Sequence, residues 1–117
     1  TEGFKTKIAG EVKDFDVTKV IEKKEARKMD LFTQYAVVAA DEAFNDAKID
    51  MEKEDPWRVG VITGSGIGGI STFEEQHTNL MTKGPGRVSP FFIPMMIGNI
   101  APAQIAIRHK LQGATHA

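Results

Sequence analysis

The stretch Arg58-Val59-Gly60-Val61-Ile62-Thr63-Gly64-Ser65-Gly66-Ile67-Gly68-Gly69 sets the fold class. Arg58–Thr63 is short and apolar, with Pro56 before it and a glycine cluster after it, as in a strand buried within a sheet. Behind the glycines, Ser71–Thr82 predicts a helix that Gly84-Pro85-Gly86 then breaks. The strand thus turns through glycines directly into a helix.

Towards the N-terminus, Asp30 is placed to cap a helix, because its carboxylate can accept from the free amides of the next turn. Phe32, Ala36, Ala39, Ala40, Ala43 and Ala47 then recur at helical spacing, and Tyr35, Val37 and Val38 widen the apolar stripe. A helix so apolar around its circumference is expected inside a layered fold, ending near Ala47 or Lys48. Thr18–Lys28 predicts a charged helix, and Lys5–Phe15 a short, partly exposed strand or extended arm. Beyond Gly86, Val88–Gly98 reads as a Pro-punctuated apolar loop, and Asn99 as the cap of a last helix, Ile100–Leu111. Pro102 is tolerable there because it falls in the first turn. One clear internal strand among several helices is a poor inventory for a free-standing domain.

Composition removes several classes of function. With 41% hydrophobic and 26% charged residues, the chain is not disordered as a whole. Fifteen Lys and Arg against 16 Asp and Glu leave a net charge of −1, which lacks the general attraction to polyphosphate of a dedicated nucleic-acid binder. The apolar runs Tyr35–Ala40 and Phe91–Ile97 are far shorter than the ~18 residues of a membrane span. The absence of cysteine excludes a disulfide framework, a thiolate metal site and a cysteine nucleophile within the printed residues. A chain without such a staple is expected in the cytoplasm.

Gly64-Ser65-Gly66-Ile67-Gly68-Gly69 matches the dinucleotide fingerprint by letter, but Gly84-Pro85-Gly86 stands where the ribose-binding acid is required. A tight strand-to-helix turn is the better reading. Ile70-Ser71 in place of Lys-Ser or Lys-Thr excludes a P-loop. His77, His109 and His116 lack metal-ligand spacing, and Glu74 and Glu75 read as a solvated face.

Three further features stand out. Lys24, Arg27 and Lys28 gather three cations on one helical face, either as salt-bridge partners of Glu22 and Glu25 or as a docking patch for an anionic partner. Charge is polarised locally: residues 19–28 carry five bases and two acids, residues 41–55 seven acids and two lysines. Phe91-Phe92-Ile93-Pro94-Met95-Met96-Ile97 needs burial in a core or an oligomer interface. Its paired Phe and Met side chains also form soft walls suited to an acyl or alkyl chain.

The chain resembles the β-ketoacyl-acyl carrier protein synthases, the type II condensing enzymes of bacterial fatty-acid synthesis. Ile8–Phe15, Lys24-Glu25-Ala26-Arg27-Lys28-Met29-Asp30, Val61–Gly69, Glu74-Glu75-Gln76-His77 and Val88–Ile97 carry the likeness, which runs with little interruption to Gly113. Lys48, where relatives commonly have a helix-ending glycine, and Pro102 depart from the pattern.

The resemblance implies a thiolase-like α/β/α/β/α fold of two pseudo-equivalent halves, usually a homodimer, with residues 1–117 an incomplete segment of the first half. It implies decarboxylative Claisen condensation of an acyl-enzyme with malonyl-carrier, with acyl carrier protein as partner, acyl and malonyl thioesters as substrates, and no metal or organic cofactor. Lys24, Arg27 and Lys28 would dock the carrier, and Ile97, with Phe91, Phe92, Met95 and Met96, would shape the acyl channel. The nucleophilic cysteine and both catalytic histidines fall outside the chain, so no catalytic residue is assigned. Leu111-Gln112-Gly113 resembles the lead-in to the nucleophile strand, and Thr115-His116-Ala117 the residues past the cysteine, so residues are expected to be missing around 113–116. Two other readings are a non-catalytic partner resembling a chain-length factor, and a dinucleotide-binding domain.

Overall fold

The computed structural model describes residues 2–117. Five α-helices follow in order: α1 Lys23–Ala26, α2 Leu31–Ala47, α3 Ile70–Lys83, α4 Phe92–Met96 and α5 Ile100–His109. Two short strands, β1 Val61–Ile62 and β2 Thr115–His116, pair in parallel, with Val61 opposite Thr115 and Ile62 opposite His116. The mixed α/β class is as the resemblance implies, but the strand expected over Arg58–Thr63 is corrected: Arg58 closes a 3-10 turn from Pro56, only Val61–Ile62 pair, and Ile62 is 82% exposed rather than buried. The second strand is an addition, because Thr115–His116 has no apolar run to announce it.

The core forms where α2 packs on α5, and α5 in turn packs on the strand pair. Ile21, Ala26, Met29, Val37, Val61, Ile105, Ala106 and Leu111 are buried together there. Ile21, only 1% exposed, explains why the helix expected over Thr18–Lys28 is broken. A 3-10 turn at Val17–Lys19, capped by the Asp16 carboxylate, delivers Ile21 to the core before the single turn of α1 begins.

α2 ends where expected. Lys48 takes a left-handed conformation at φ 54°, and the amides of Lys48 and Ile49 donate back to the carbonyls of Asn45 and Phe44. This is the Schellman closure that glycine usually provides. α5 closes the same way at Lys110, its last helical residue His109 standing two residues short of the expected Leu111. Asn99 precedes α5, but its side chain makes no capping bond, which corrects its expected role.

Much of the apolar surface is uncovered. Ile8 and Val12 are exposed, and α2 buries only Thr33 and Val37 although its sequence suits a fully interior helix. The radius of gyration is 16.6 Å, against about 13 Å for a compact domain of this length. The apolar faces of α2 and β1 are therefore left open among the described residues.

Candidate functional site: an apolar cleft beside a cationic shelf

The loop after β1 brings two distant segments together. Gly68 sits at φ 81°, where other residues are strained, and its amide donates to Ser65 Oγ at 2.9 Å. The Gly69 amide donates to the Met96 carbonyl at 2.8 Å. A Cβ on Gly69 would lie 2.6 Å from the Met95 carbonyl oxygen, so only glycine permits this approach. The turn is thus a seam between the strand-to-helix loop and residues 91–97.

Along that seam opens a cleft of about 250 Å³, lined by Ile67, Ile70, Phe73, Met96 and Ile97. It lies past the C-terminal end of β1, the edge at which parallel α/β sheets place their ligands. All five lining side chains are apolar, and each methylene buried there would contribute about 0.8 kcal/mol.

The five residues expected at an acyl channel separate in space. Ile97 and Met96 line this cleft, whereas Phe92 lines a neighbouring one of about 120 Å³ with Phe73, Gln76, His77, Leu80 and Val88. Met95 presents its carbonyl to Gly69, and Phe91 lies at the surface. Val88–Gly98 is also more regular than the loop expected. Ser89 Oγ accepts from the Phe91 amide and the Ser89 carbonyl from the Phe92 amide, which starts the turn of α4. Pro94 fits because it lies in the first turn, where its missing amide has no helical partner. Nor is the segment buried within the described residues: Phe91, Ile93 and Ile97 are 47%, 53% and 37% exposed. Ile67, Ile70 and Phe73 were not singled out from sequence, although the i, i+3 spacing of the last two on α3 was the available signal.

The start of α3 does not offer a phosphate cradle. The amides of Gly68, Gly69, Ile70 and Thr72 donate to Ser65, Met96, Gly68 and Asp30 respectively. With those donors occupied, the fingerprint-like glycines serve close packing, and the dinucleotide reading loses its chemistry.

Lys24, Arg27 and Lys28 are all exposed. The turn continues past α1, with the Arg27 and Lys28 amides donating to the Lys23 and Glu25 carbonyls, so the three cations stay on one short shelf. Among the described residues none of them pairs with Glu22 or Glu25, which removes the salt-bridged alternative. Lys28 Nζ instead lies 5.6 Å from the centroid of Phe91, within cation–π range.

The histidines play separate parts. His77 is exposed and stacks on Phe73, and His116 lies on the exposed β2. His109 stacks on Phe44 at 4.2 Å, with Nε2 3.7 Å from Asp41 Oδ1 and without a hydrogen-bond partner among the described residues. Burial lowers its pKa below the ordinary value, outweighing the opposing pull of Asp41. Among the described residues no group of three or more His, Asp or Glu side chains could hold a metal, and no helix is long and apolar enough to cross a membrane.

A parallel strand pair, an apolar cleft at its C-terminal edge and a cationic shelf alongside define a protein of the layered α/β class. Comparison with known proteins is consistent with that class. Residues 2–117 match the family described as "Beta-ketoacyl synthase, N-terminal domain". The chain is 54% identical over 107 residues to 3-oxoacyl-[acyl-carrier-protein] synthase 2 of Staphylococcus aureus, covering 92% of this chain and 27% of that protein. Against the synthase 2 of Vibrio harveyi the identity is 47% over 110 residues, covering 94% of this chain and 26% of the relative. A solved type II polyketide ketosynthase, in complex with its acyl-carrier protein and bound to the hexaketide, superposes with a TM-score of 0.80 at 28% identity, over 89% of this chain and 30% of that one. The chain belongs to the β-ketoacyl synthase family, within its N-terminal domain, and its fold is part of the first half of the thiolase-like α/β architecture. It spans about a quarter of the length of the curated relatives it matches.

Proposed function

We propose that the full-length protein is a 3-oxoacyl-[acyl carrier protein] synthase of the second type, an acyltransferase that elongates acyl chains in fatty-acid biosynthesis. The observation that carries this reading is the apolar cleft walled by Ile97 and Met96 at the C-terminal edge of the parallel strands. In the proposed reaction a cysteine thiolate displaces the carrier thiol from an acyl thioester. Malonyl-carrier then loses carbon dioxide, and the resulting enolate carbon attacks the acyl-enzyme carbonyl. The cysteine thiolate leaves as the 3-oxoacyl-carrier forms. The cleft would receive the hydrocarbon tail of the primer, with Ile97 as its wall and Phe91, Phe92 and Met95 shaping the segment around it.

Lys24, Arg27 and Lys28 would form part of the docking surface for acyl carrier protein. Three cations on one shelf, none in an ion pair among the described residues, complement an acidic partner, and such a rim mainly speeds encounter. The intact protein is read as a cytoplasmic homodimer.

The pairing at β2 bears on where the nucleophile lies. Val59 accepts from the Gly113 amide, Ala114 from the Val61 amide and His116 from the Thr63 amide, so the ladder runs from Gly113 to His116 without a break. This supports a nucleophile segment that continues β2 past Ala117, emerging on the edge where the cleft opens, over one lost around 113–116. The cysteine's position in the full-length sequence distinguishes the two placements.

The experiment is direct. Full-length protein given acyl-carrier and malonyl-carrier should release carbon dioxide and form 3-oxoacyl-carrier, detected by mass. Carbon dioxide release without condensation would favour the non-catalytic partner reading, and neither product would overturn the proposal.

A further inference from the structure

Lys28 touches both functional regions. It belongs to the cationic shelf, yet its ammonium rests over the ring of Phe91, 5.6 Å from the centroid. Phe91 is the residue on which α4 begins, and its carbonyl accepts from the Met95 amide at 2.9 Å. The other end of α4 carries Met96 and Ile97 into the cleft. Phe92, next to Phe91, packs against Phe73, which lines the same cleft. One exposed cation is therefore joined through a single aromatic ring to the short helix that walls the apolar cleft.

We propose that Lys28 is a specificity-determining residue that couples carrier docking to the acyl cleft: its ammonium holds Phe91 in the free protein and is drawn away by an acidic carrier, releasing the start of α4. This rests on the docking role given to the shelf under the proposed function. The physical basis is competition for one cation. Phe91 and Lys28 are both exposed, so the contact is of the weak, solvent-accessible kind that an incoming carboxylate can displace. Losing that contact opposes docking. Coupling of this kind is reciprocal for binding, so occupancy that loosens the start of α4 also favours the docked state of Lys28.

The test uses the full-length protein and its acyl carrier protein, with affinity measured by calorimetry at fixed salt. Phe91→Leu keeps an apolar side chain but removes the ring, and should tighten carrier binding about two- to fivefold, the equivalent of an exposed cation–π contact. Phe91→Trp, with the stronger ring, should weaken binding by a similar factor. In a Lys28→Met background both Phe91 substitutions should leave affinity unchanged, because no cation remains to compete. Mere packing at Phe91 would not produce opposite effects that vanish together when Lys28 is replaced.

Equal effects of the Phe91 substitutions with and without Lys28 would overturn the coupling while leaving the docking shelf intact. Carrier affinity indifferent to both Arg27→Glu and Lys28→Met would overturn the docking reading itself, and the coupling with it.

Discussion

Asp30 and Thr72 lie 42 residues apart, yet Asp30 Oδ2 accepts from both the amide and the hydroxyl of Thr72, at 2.8 and 2.6 Å. Its Oδ1 accepts from the Phe32 amide at 3.2 Å. One buried carboxylate thus caps α2 and α3 together and fixes the helix that forms one wall of the cleft. Its Cβ also lies 3.1 Å from where a Cβ on Gly69 would stand, so the same residue backs the glycine turn.

Asp30→Ala in the full-length protein should therefore cost about 2–4 kcal/mol, from two lost caps and the stranded donors of Thr72. Asp30→Asn should cost less, since its carbonyl oxygen can still accept. Urea unfolding measures both, and an Asp30→Ala loss below about 1 kcal/mol would show that the two helix starts do not depend on this carboxylate.

His109 gives the fold a pH dependence of known sign. Burial lowers its folded pKa below the ordinary value of 6.5, so the unfolded chain takes up the proton first as pH falls. The contribution is fully present above about pH 6.5 and is lost as pH drops through that value towards the folded pKa. The fall in Tm between about pH 7.5 and pH 5.5 should be smaller in His109→Phe, which keeps the stack on Phe44. An unchanged fall would place the pH sensitivity elsewhere.

Arg27→Glu tests the cationic shelf. Carrier affinity should drop several-fold, and more at low salt than at 0.5 M, where the Debye length is only about 4 Å. Stability should change by less than about 0.5 kcal/mol, because Arg27 is exposed and forms no ion pair among the described residues. Carrier titrations at two salt concentrations, with thermal unfolding alongside, measure both effects.

What the sequence made legible follows from how local each signal is. Asp30, the alanine-rich run and Lys48 defined α2 because capping and periodicity are short-range. The strand at Val61–Ile62 and the turn into α3 were legible for the same reason. β2 was not, since Thr115–His116 becomes a strand only because β1 lies beside it. α4 was hidden by Pro94, whose place in a first turn depends on Ser89 starting that turn. The cleft was half legible: the aromatic and Met segment drew attention to Ile97 and Met96, but its opposite wall comes from Ile67, Ile70 and Phe73, brought there by the Gly69–Met96 bond. The roles proposed for the shelf and for Ile97 come from the resemblance to ketosynthases; the contact between Lys28 and Phe91 appears only in three dimensions.

The central claim is that the cleft at Ile97 holds the growing acyl chain, and chain-length selectivity tests it most directly. Ile97→Phe places a rigid ring where the tail would pass, and a packed wall cannot absorb that volume freely. The ratio of kcat/KM for a long over a short acyl-carrier primer should fall at least about tenfold in the full-length enzyme, since excluding two methylenes forfeits ~1.6 kcal/mol. Carrier affinity and thermal stability should stay close to those of the unaltered enzyme. An unchanged ratio in a stably folded Ile97→Phe enzyme would contradict the account, because Ile97 would then pack in the interior without bordering the acyl chain.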